Sequence, residues 1–294
     1  MDKKIKRQEL WELQYGGNRY METLSIEELD CRFGDVVSNT TTLDDEGKLA
    51  FGTSHEWLES LTHVFFEYRL RGIGVPPADK IQNNLLVPKR EGLELSLDVK
   101  KQFAKGYPTE FTLFKYGRLN HLELLLNEGK MRLFPASSYS DPSLNPSVQD
   151  DELNFTKIIK NKRIRYTSDT DFYCFCSAWL PNNRLVADFE ADCIVVIHKP
   201  HEFFLRLRSS FRNKDWIASF NKVTYIDPLL MGENDHIESI AFTKHFRYAY
   251  QFEHRFIMYP PSYEKKLEYV DLELGSINDI AKIYRANKSV FTTP

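Results

Sequence analysis

The segment Tyr250 to Pro261, YQFEHRFIMYPP, constrains the fold more than any other stretch of the chain. Its alternation predicts a β-strand, in which successive side chains leave opposite faces. Phe252, His254, Phe256 and Met258 then share one face, which reads as a core face. Gln251, Glu253 and Arg255 share the other, where a strand ordinarily carries residues such as Val or Thr, so this polar row needs a reason.

The rest of the chain supplies both helical and strand periodicities. Ser25 heads SIEELD with Glu28 at the capping-box position. Ser54 heads a helix with an apolar stripe through Trp57, Leu58, Leu61, Val64, Phe65 and Tyr68, and Gly72 stops it. A further short helix is predicted over 96–106.

After Tyr107 the character changes to strand, short helix, strand. EFTLFKYG stops at Gly117, LNHLELLLNEG ends on Gly129, and KMRLFPAS follows. A Ser, Pro, Asp and Asn rich loop then leads to the strands DFYCFCSAW and DCIVVIH, a helix in KPHEFFLRLRSSF and a strand in KVTYID. HIESIAFTKHF is read as helical. Irregular mixing of this kind predicts an α+β fold rather than a doubly wound sheet, with a largely helical accessory region over 1–106 and a second domain over 107–294.

With 294 residues, a net charge of −3, 42% apolar and 28% charged residues, the composition is that of an ordinary soluble protein able to bury a sizeable core. No apolar run approaches the roughly 20 residues of a membrane helix, and the start MDKKIKRQELWELQ lacks a secretory apolar stretch, so a cytoplasmic location without membrane partners is expected. The four cysteines are read as small buried hydrophobes rather than metal ligands, with Cys174 and Cys176 assigned to opposite faces of one strand. No metal is expected.

Phosphate-loop, dinucleotide-fold, His-Glu-x-x-His and Gly-x-Ser-x-Gly signatures are all missing from the sequence. Three polar clusters follow strands instead: Lys115, Tyr116 and Arg118; Ser137, Ser138, Tyr139 and Asp141; and Gln251, Glu253 and Arg255. Each also has a plain structural reading. Glu253 and Arg255 are either functional or a surface ion pair worth about 0 to 1 kcal/mol. Asp141 before Pro142 is first a turn former, and the Ser and Tyr residues are either packing and loop positions or ligand contacts. Asp150, Asp151 and Glu152 form the dense carboxylate group that a metal-dependent nuclease would need.

In order, FKYGRLNHLELLLNEGKMRLFPASSYSDP, a distant Lys and QFEHRF resemble a group of bacterial domains of unknown function with Lys-Tyr-Arg, Asn-Asp-Pro and Glu-x-Glu-x-Arg motifs. The same order resembles the ADP-ribosyltransferase superfamily over roughly Tyr107 to Pro261. Gly117 stands where the first motif has its arginine, with Arg118 after it, and Ser140 stands for the asparagine. Lys115 is the nearest match to the basic or imidazole residue of the transferases' first strand.

The resemblance implies a mixed, split β-sheet core, NAD as donor substrate, and Glu253 as the catalytic carboxylate with Gln251 addressing the acceptor. Lys115, Tyr116, Arg118, Ser137, Ser138 and Tyr139 would contact NAD. Independently of family, cleaving a nicotinamide–ribose bond develops an oxocarbenium-like cation that a fixed carboxylate stabilises. The expected activity is transfer of ADP-ribose to a macromolecule by a bacterial toxin or antiviral effector, with an antitoxin or regulatory protein as a further partner. Basic Lys160, Lys162, Arg163 and Arg165, with Arg255, would favour nucleic acid, RNA included, over protein as acceptor, or form only a solvated strip. The alternative is a non-catalytic nucleotide-binding or partner-binding module of the same fold.

Overall fold

A computed structural model describes residues 6–44, 49–52, 54–77, 111–159, 162–211 and 215–285. The helix expected over 96–106 and the basic Lys160 lie outside the described residues.

Three helices begin the chain: α1 (Arg7–Gly17), α2 (Ile26–Thr40) and α3 (His55–Leu70). Ser25 caps α2 as its sequence predicts, its hydroxyl accepting from the Glu28 N–H while the Glu28 carboxylate accepts from the Ser25 N–H at 2.9 Å. A short hairpin, β1 (Thr41–Leu43) with β2 (Leu49–Phe51), follows α2. In α3, Val64 and Tyr68 are buried, whereas Leu58 and Phe65 of the predicted stripe are exposed. Glu67 occupies the buried face instead, satisfied by Tyr15, Arg19 and Arg71.

The remaining strands are β3 (Leu113–Gly117), β4 (Lys130–Leu133), β5 (Asn154–Ile159), β6 (Lys162–Thr167), β7 (Tyr173–Ala178), β8 (Cys193–Ile197) and β9 (Ile217–Lys222). They continue with β10 (Thr224–Ile226), β11 (Thr243–His245), β12 (Glu253–Tyr259), β13 (Val270–Glu273) and β14 (Ala281–Arg285). Between them lie α4 (Leu119–Glu128), α5 (Asn183–Asp188) and α6 (Pro200–Ser210). Six strands pair in the spatial order β14-β8-β3-β7-β12-β9, all antiparallel. The α+β class is therefore correct, but the main sheet is not mixed: among the described residues, parallel pairing is confined to β10 with β11. In the sheet's middle, β3 meets β7 at the one register position Phe114↔Ala178, so the two strands splay apart beyond it.

Each face of the sheet has its own cover. Leu113, Phe175, Val195 and Phe256 pack with Phe203 and Phe204 of α6 and with Leu122 and Leu125 of α4. On the opposite face, Phe114, Tyr116, Ile194 and Val196 pack with Leu185 and Val186 of α5 and with Tyr248 and Tyr250. Apolar burial on both faces explains why β8 reads as an unbroken run, CIVVI, rather than as an alternation.

One element differs in type. The HIESIAFTKHF stretch is not an α-helix: a 3₁₀ turn at Ile240–Phe242 leads into β11, and a second 3₁₀ segment spans Phe246–Gln251. β-branched and aromatic residues dominate here, and pairing of β11 with β10 wins over helix propensity. Helix α2 docks on this segment and on the end of β10: Arg32 pairs with Asp227, just after β10, at 2.5 Å, and the Asn39 amide donates to the Phe246 carbonyl at 2.9 Å.

Candidate functional site

Strand β12 begins at Glu253, not at Tyr250. Phe252 adopts a left-handed conformation at φ 48, a strained backbone for a non-glycine residue, and this kink separates the 3₁₀ segment from the strand. Glu253 and Arg255 nevertheless share one face as predicted, and that face is covered. Arg255 has no exposure and Glu253 is 7% exposed, so they are not a surface pair.

A largely buried charge network results, with Asp150 at its more exposed edge. Arg255 Nε donates to Glu253 Oε2 at 2.8 Å, its Nη2 to Glu152 Oε1 at 2.7 Å, and its Nη1 to the Ala241 carbonyl at 2.9 Å. Lys244 Nζ donates to Glu253 Oε1 at 3.3 Å and to Gln251 Oε1 at 3.2 Å, and lies 3.6 Å from Glu152 and 3.7 Å from Asp150. Burial alone would raise the Glu253 carboxyl, but Arg255 and Lys244 outweigh it and lower it to about 2. Burial and the neighbouring Glu152 push Asp150 up to about 6 against the pull of Lys244 and Arg255.

Above this network is a cavity of about 260 Å³, lined by Glu253, Gln251, Lys244, Glu152, Tyr139 and Cys176 among others. A second cavity of about 1060 Å³ shares Lys115, Tyr116, Gly117, Arg118 and Tyr139 with it. The junction lies where β3 splays from β7. Four of the six residues expected to contact NAD thus converge on it: Lys115, Tyr116, Arg118 and Tyr139.

Their individual settings differ. Lys115 Nζ donates to the Cys176 carbonyl at 2.8 Å, bridging the gap between β3 and β7. The Tyr116 hydroxyl accepts from the Asn182 N–H at 3.0 Å. Arg118 is 42% exposed at the mouth and pairs with Glu190 at 2.6 Å. Burial, with the neighbouring Cys176 and Cys174 thiols, pushes the Tyr139 hydroxyl well up, so it stays protonated where it lines both cavities.

Other predicted residues stand elsewhere or do other work. Ser137 donates to Asp171 at 2.6 Å and Ser138 to the Pro135 carbonyl at 2.7 Å, so both shape the 3₁₀ turn at Ala136–Ser140 rather than line either cavity. Asp141 accepts from the Ser143 N–H at 2.8 Å, as a turn former does. The Gln251 amide is spent on Lys244 and on the Ser147 carbonyl, which it meets at 2.7 Å, so it holds the network instead of facing an open acceptor site.

The basic run folds into the β5–β6 hairpin. Lys162, Arg163 and Arg165 are exposed there, with Arg163 paired to Glu28 and Arg165 donating to Asn154 at 2.9 Å. Arg255, grouped with them in the sequence, is buried and cannot contact a macromolecule.

Lys244 and Glu152 line the smaller cavity, with Asp150 beside Lys244, and the sequence alone assigned none of the three to it. Instead of forming a metal cluster, Asp150 and Glu152 face Lys244. Among the described residues no group of three or more His, Cys, Asp or Glu side chains could hold a metal ion, and no helix is long and apolar enough to cross a membrane. The cysteine assignments need two corrections. Cys31 is exposed, and Cys174 and Cys176 share one face, since residues two apart on a strand alternate back to the same side.

No family profile matches this chain, and neither a curated protein nor a solved structure does.

Proposed function

We propose that the joined cavities bind NAD and that the protein transfers its ADP-ribose to a macromolecule. The observation that carries this reading is the placement of Glu253: its carboxylate lines the smaller cavity beside Glu152 and is held by Lys244 and Arg255. A fixed carboxylate beside the ribose favours the positive charge as it passes from the nicotinamide ring to the anomeric carbon, the demand made by cleavage of a nicotinamide–ribose bond. Lys115 and Arg118, at the junction with the larger cavity, suit a diphosphate.

In this mechanism the Glu253 carboxylate faces the ribose, kept ionised by Lys244 and Arg255. Nicotinamide departs with the bonding electron pair, and a nucleophile of the acceptor attacks the anomeric carbon. Gln251 acts as a positioning residue through Lys244. The exposed Lys162, Arg163 and Arg165 favour a nucleic-acid acceptor, as in a toxin or antiviral effector restrained by a partner protein.

A second reading has its own support. Both Glu253 oxygens are held by cations, an arrangement equally suited to a rigid, non-catalytic nucleotide site. Incubation with NAD and RNA, DNA or protein, followed by quantification of free nicotinamide, separates the two. Turnover that falls at least about 100-fold in Glu253→Gln, with NAD still protecting that variant in thermal shift, supports the transferase. NAD binding without nicotinamide release by the unaltered protein supports the binding module, and no NAD binding overturns both.

A further inference from the structure

Cys174 and Cys176 stand at alternate positions of β7, with their sulfurs 3.2 Å apart. They sit where the two cavities meet: Cys174 lines the larger and Cys176 the smaller. The pair is therefore approached from two sides, although Cys174 itself is buried.

What such a pair can bond is limited by its backbone. Residues two apart on an extended strand have Cα atoms about 6.6 Å apart, near the upper end of the range a disulfide spans. Contraction is opposed because β7 is hydrogen-bonded to β12 along six register positions, with Arg255 directly opposite Cys176. A direct S–S bond would strain the sheet centre, whereas one atom bonded to both sulfurs leaves the strand in place.

We propose that Cys174 and Cys176 form a dithiol site that captures one trivalent, thiophilic centre of the aryl-arsenical class at the junction of the cavities. With an arsine oxide, R–As=O, two As–S bonds form, and the oxygen leaves as water with the two thiol protons. Arsenic stays trivalent throughout, so no oxidant or reductant takes part. The bound aryl group would occupy the space that Glu253 faces.

The surroundings favour the first bond at Cys176. Its thiol is pushed below its ordinary value by the hydrogen bond with Cys174, against burial, with Arg255 assisting and Glu253 and Glu152 opposing. Cys174, pushed well up by burial, remains the protonated partner. The other two cysteines cannot chelate in this way: Cys31 is exposed on α2, and Cys193 is buried on β8 with its sulfur 3.6 Å from the Gly117 carbonyl.

The test treats the full chain with phenylarsine oxide, removes excess reagent with a monothiol, denatures in iodoacetamide and maps the alkylated cysteines by mass spectrometry. The expected result is one arsenical per chain, protection of Cys174 and Cys176, alkylation of Cys31 and Cys193, and release by a dithiol but not by a monothiol. Alkylation of all four cysteines, or protection of any other pair, overturns the proposal. A Cys174→Ser variant is expected to lose the monothiol-resistant adduct and a Cys31→Ser variant to keep it. An adduct retained in the first or lost in the second also overturns the proposal. The mapping of the unaltered chain decides the matter even if a variant does not fold.

Discussion

Lys244 Nζ lies 3.3 Å from Glu253 Oε1, and both side chains are buried beneath the smaller cavity. The contact joins β11 to β12 within a charge network whose other members include Arg255 and Glu152. Removing one member of a buried pair leaves its partner uncompensated, at a cost of about 3–5 kcal/mol. Glu253→Gln is therefore expected to lower stability as well as activity, and Lys244→Met to do the same. The double variant should be less unstable than the sum of the two losses, a coupling that denaturant melts of all four proteins would measure. Strict additivity would show that the pair does not act as a unit.

Asp150 predicts a particular pH dependence. Its folded-state value of about 6 lies above the ordinary 3.8, so between about pH 4 and 6 the native protein binds more protons at this site than the unfolded chain does. This contribution is fully present below pH 4, is lost as pH rises to 6, and is constant above that. Its size is of order 1–3 kcal/mol, with burial first and then Glu152 and Glu253 raising the group, and Lys244 and Arg255 lowering it. Asp150→Asn should remove this part of the slope. Melting temperatures from pH 4 to 7 test it, and an unchanged profile in the variant would refute the assignment.

Glu253 and Arg255 were legible in the sequence because strand alternation fixes a shared face without any tertiary information. Lys115, Tyr116 and Arg118 were legible because they end a strand beside Gly117. Lys244 was hidden: it lies in a stretch whose residues gave a helical reading, and only pairing with β10 makes it a strand residue aimed at Glu253. Whether a carboxylate is a surface ion or a buried one is likewise not local information. The cover over Glu253 is supplied by Gln251, Ser147 and Glu152, the last two more than 100 positions upstream. Ser137 and Ser138 followed a strand end as expected, but the 3₁₀ turn directs them to Asp171 and Pro135.

Gly129 offers a test of local geometry. It ends α4 at φ 68, and an added Cβ there would overlap the backbone of Gly275, while its carbonyl accepts from the Leu274 N–H at 2.9 Å. Gly129→Ala meets both a left-handed backbone and a backbone clash, so a loss exceeding about 2 kcal/mol is expected. Gly275→Ala, at φ 73 with open space around it, meets the first term alone and should cost about 1–2 kcal/mol. Chemical denaturation of the two variants should rank them in this order, and equal losses would mean that the backbone approach relaxes freely.

Arg184 anchors the N-terminal helices to the sheet. It has no exposure, donates to Asp188 at 2.8 Å, to the Thr41 carbonyl at 3.0 Å and to the Ser38 carbonyl, and lies 3.6 Å over the Tyr250 ring. Arg184→Ala leaves the buried Asp188 without this cation and the two carbonyls without this donor, so a loss of about 3–5 kcal/mol is expected. Arg184→Lys should recover only part of it, because an ammonium cannot reproduce the planar fork that reaches Asp188 and both carbonyls together. Truncating Asp188 in the Ala variant removes the uncompensated carboxylate and should restore part of the stability. If Arg184→Ala and the Arg184→Ala/Asp188→Ala pair melt together, the carboxylate is not the source of the loss, and the contacts to Ser38 and Thr41 carry it instead.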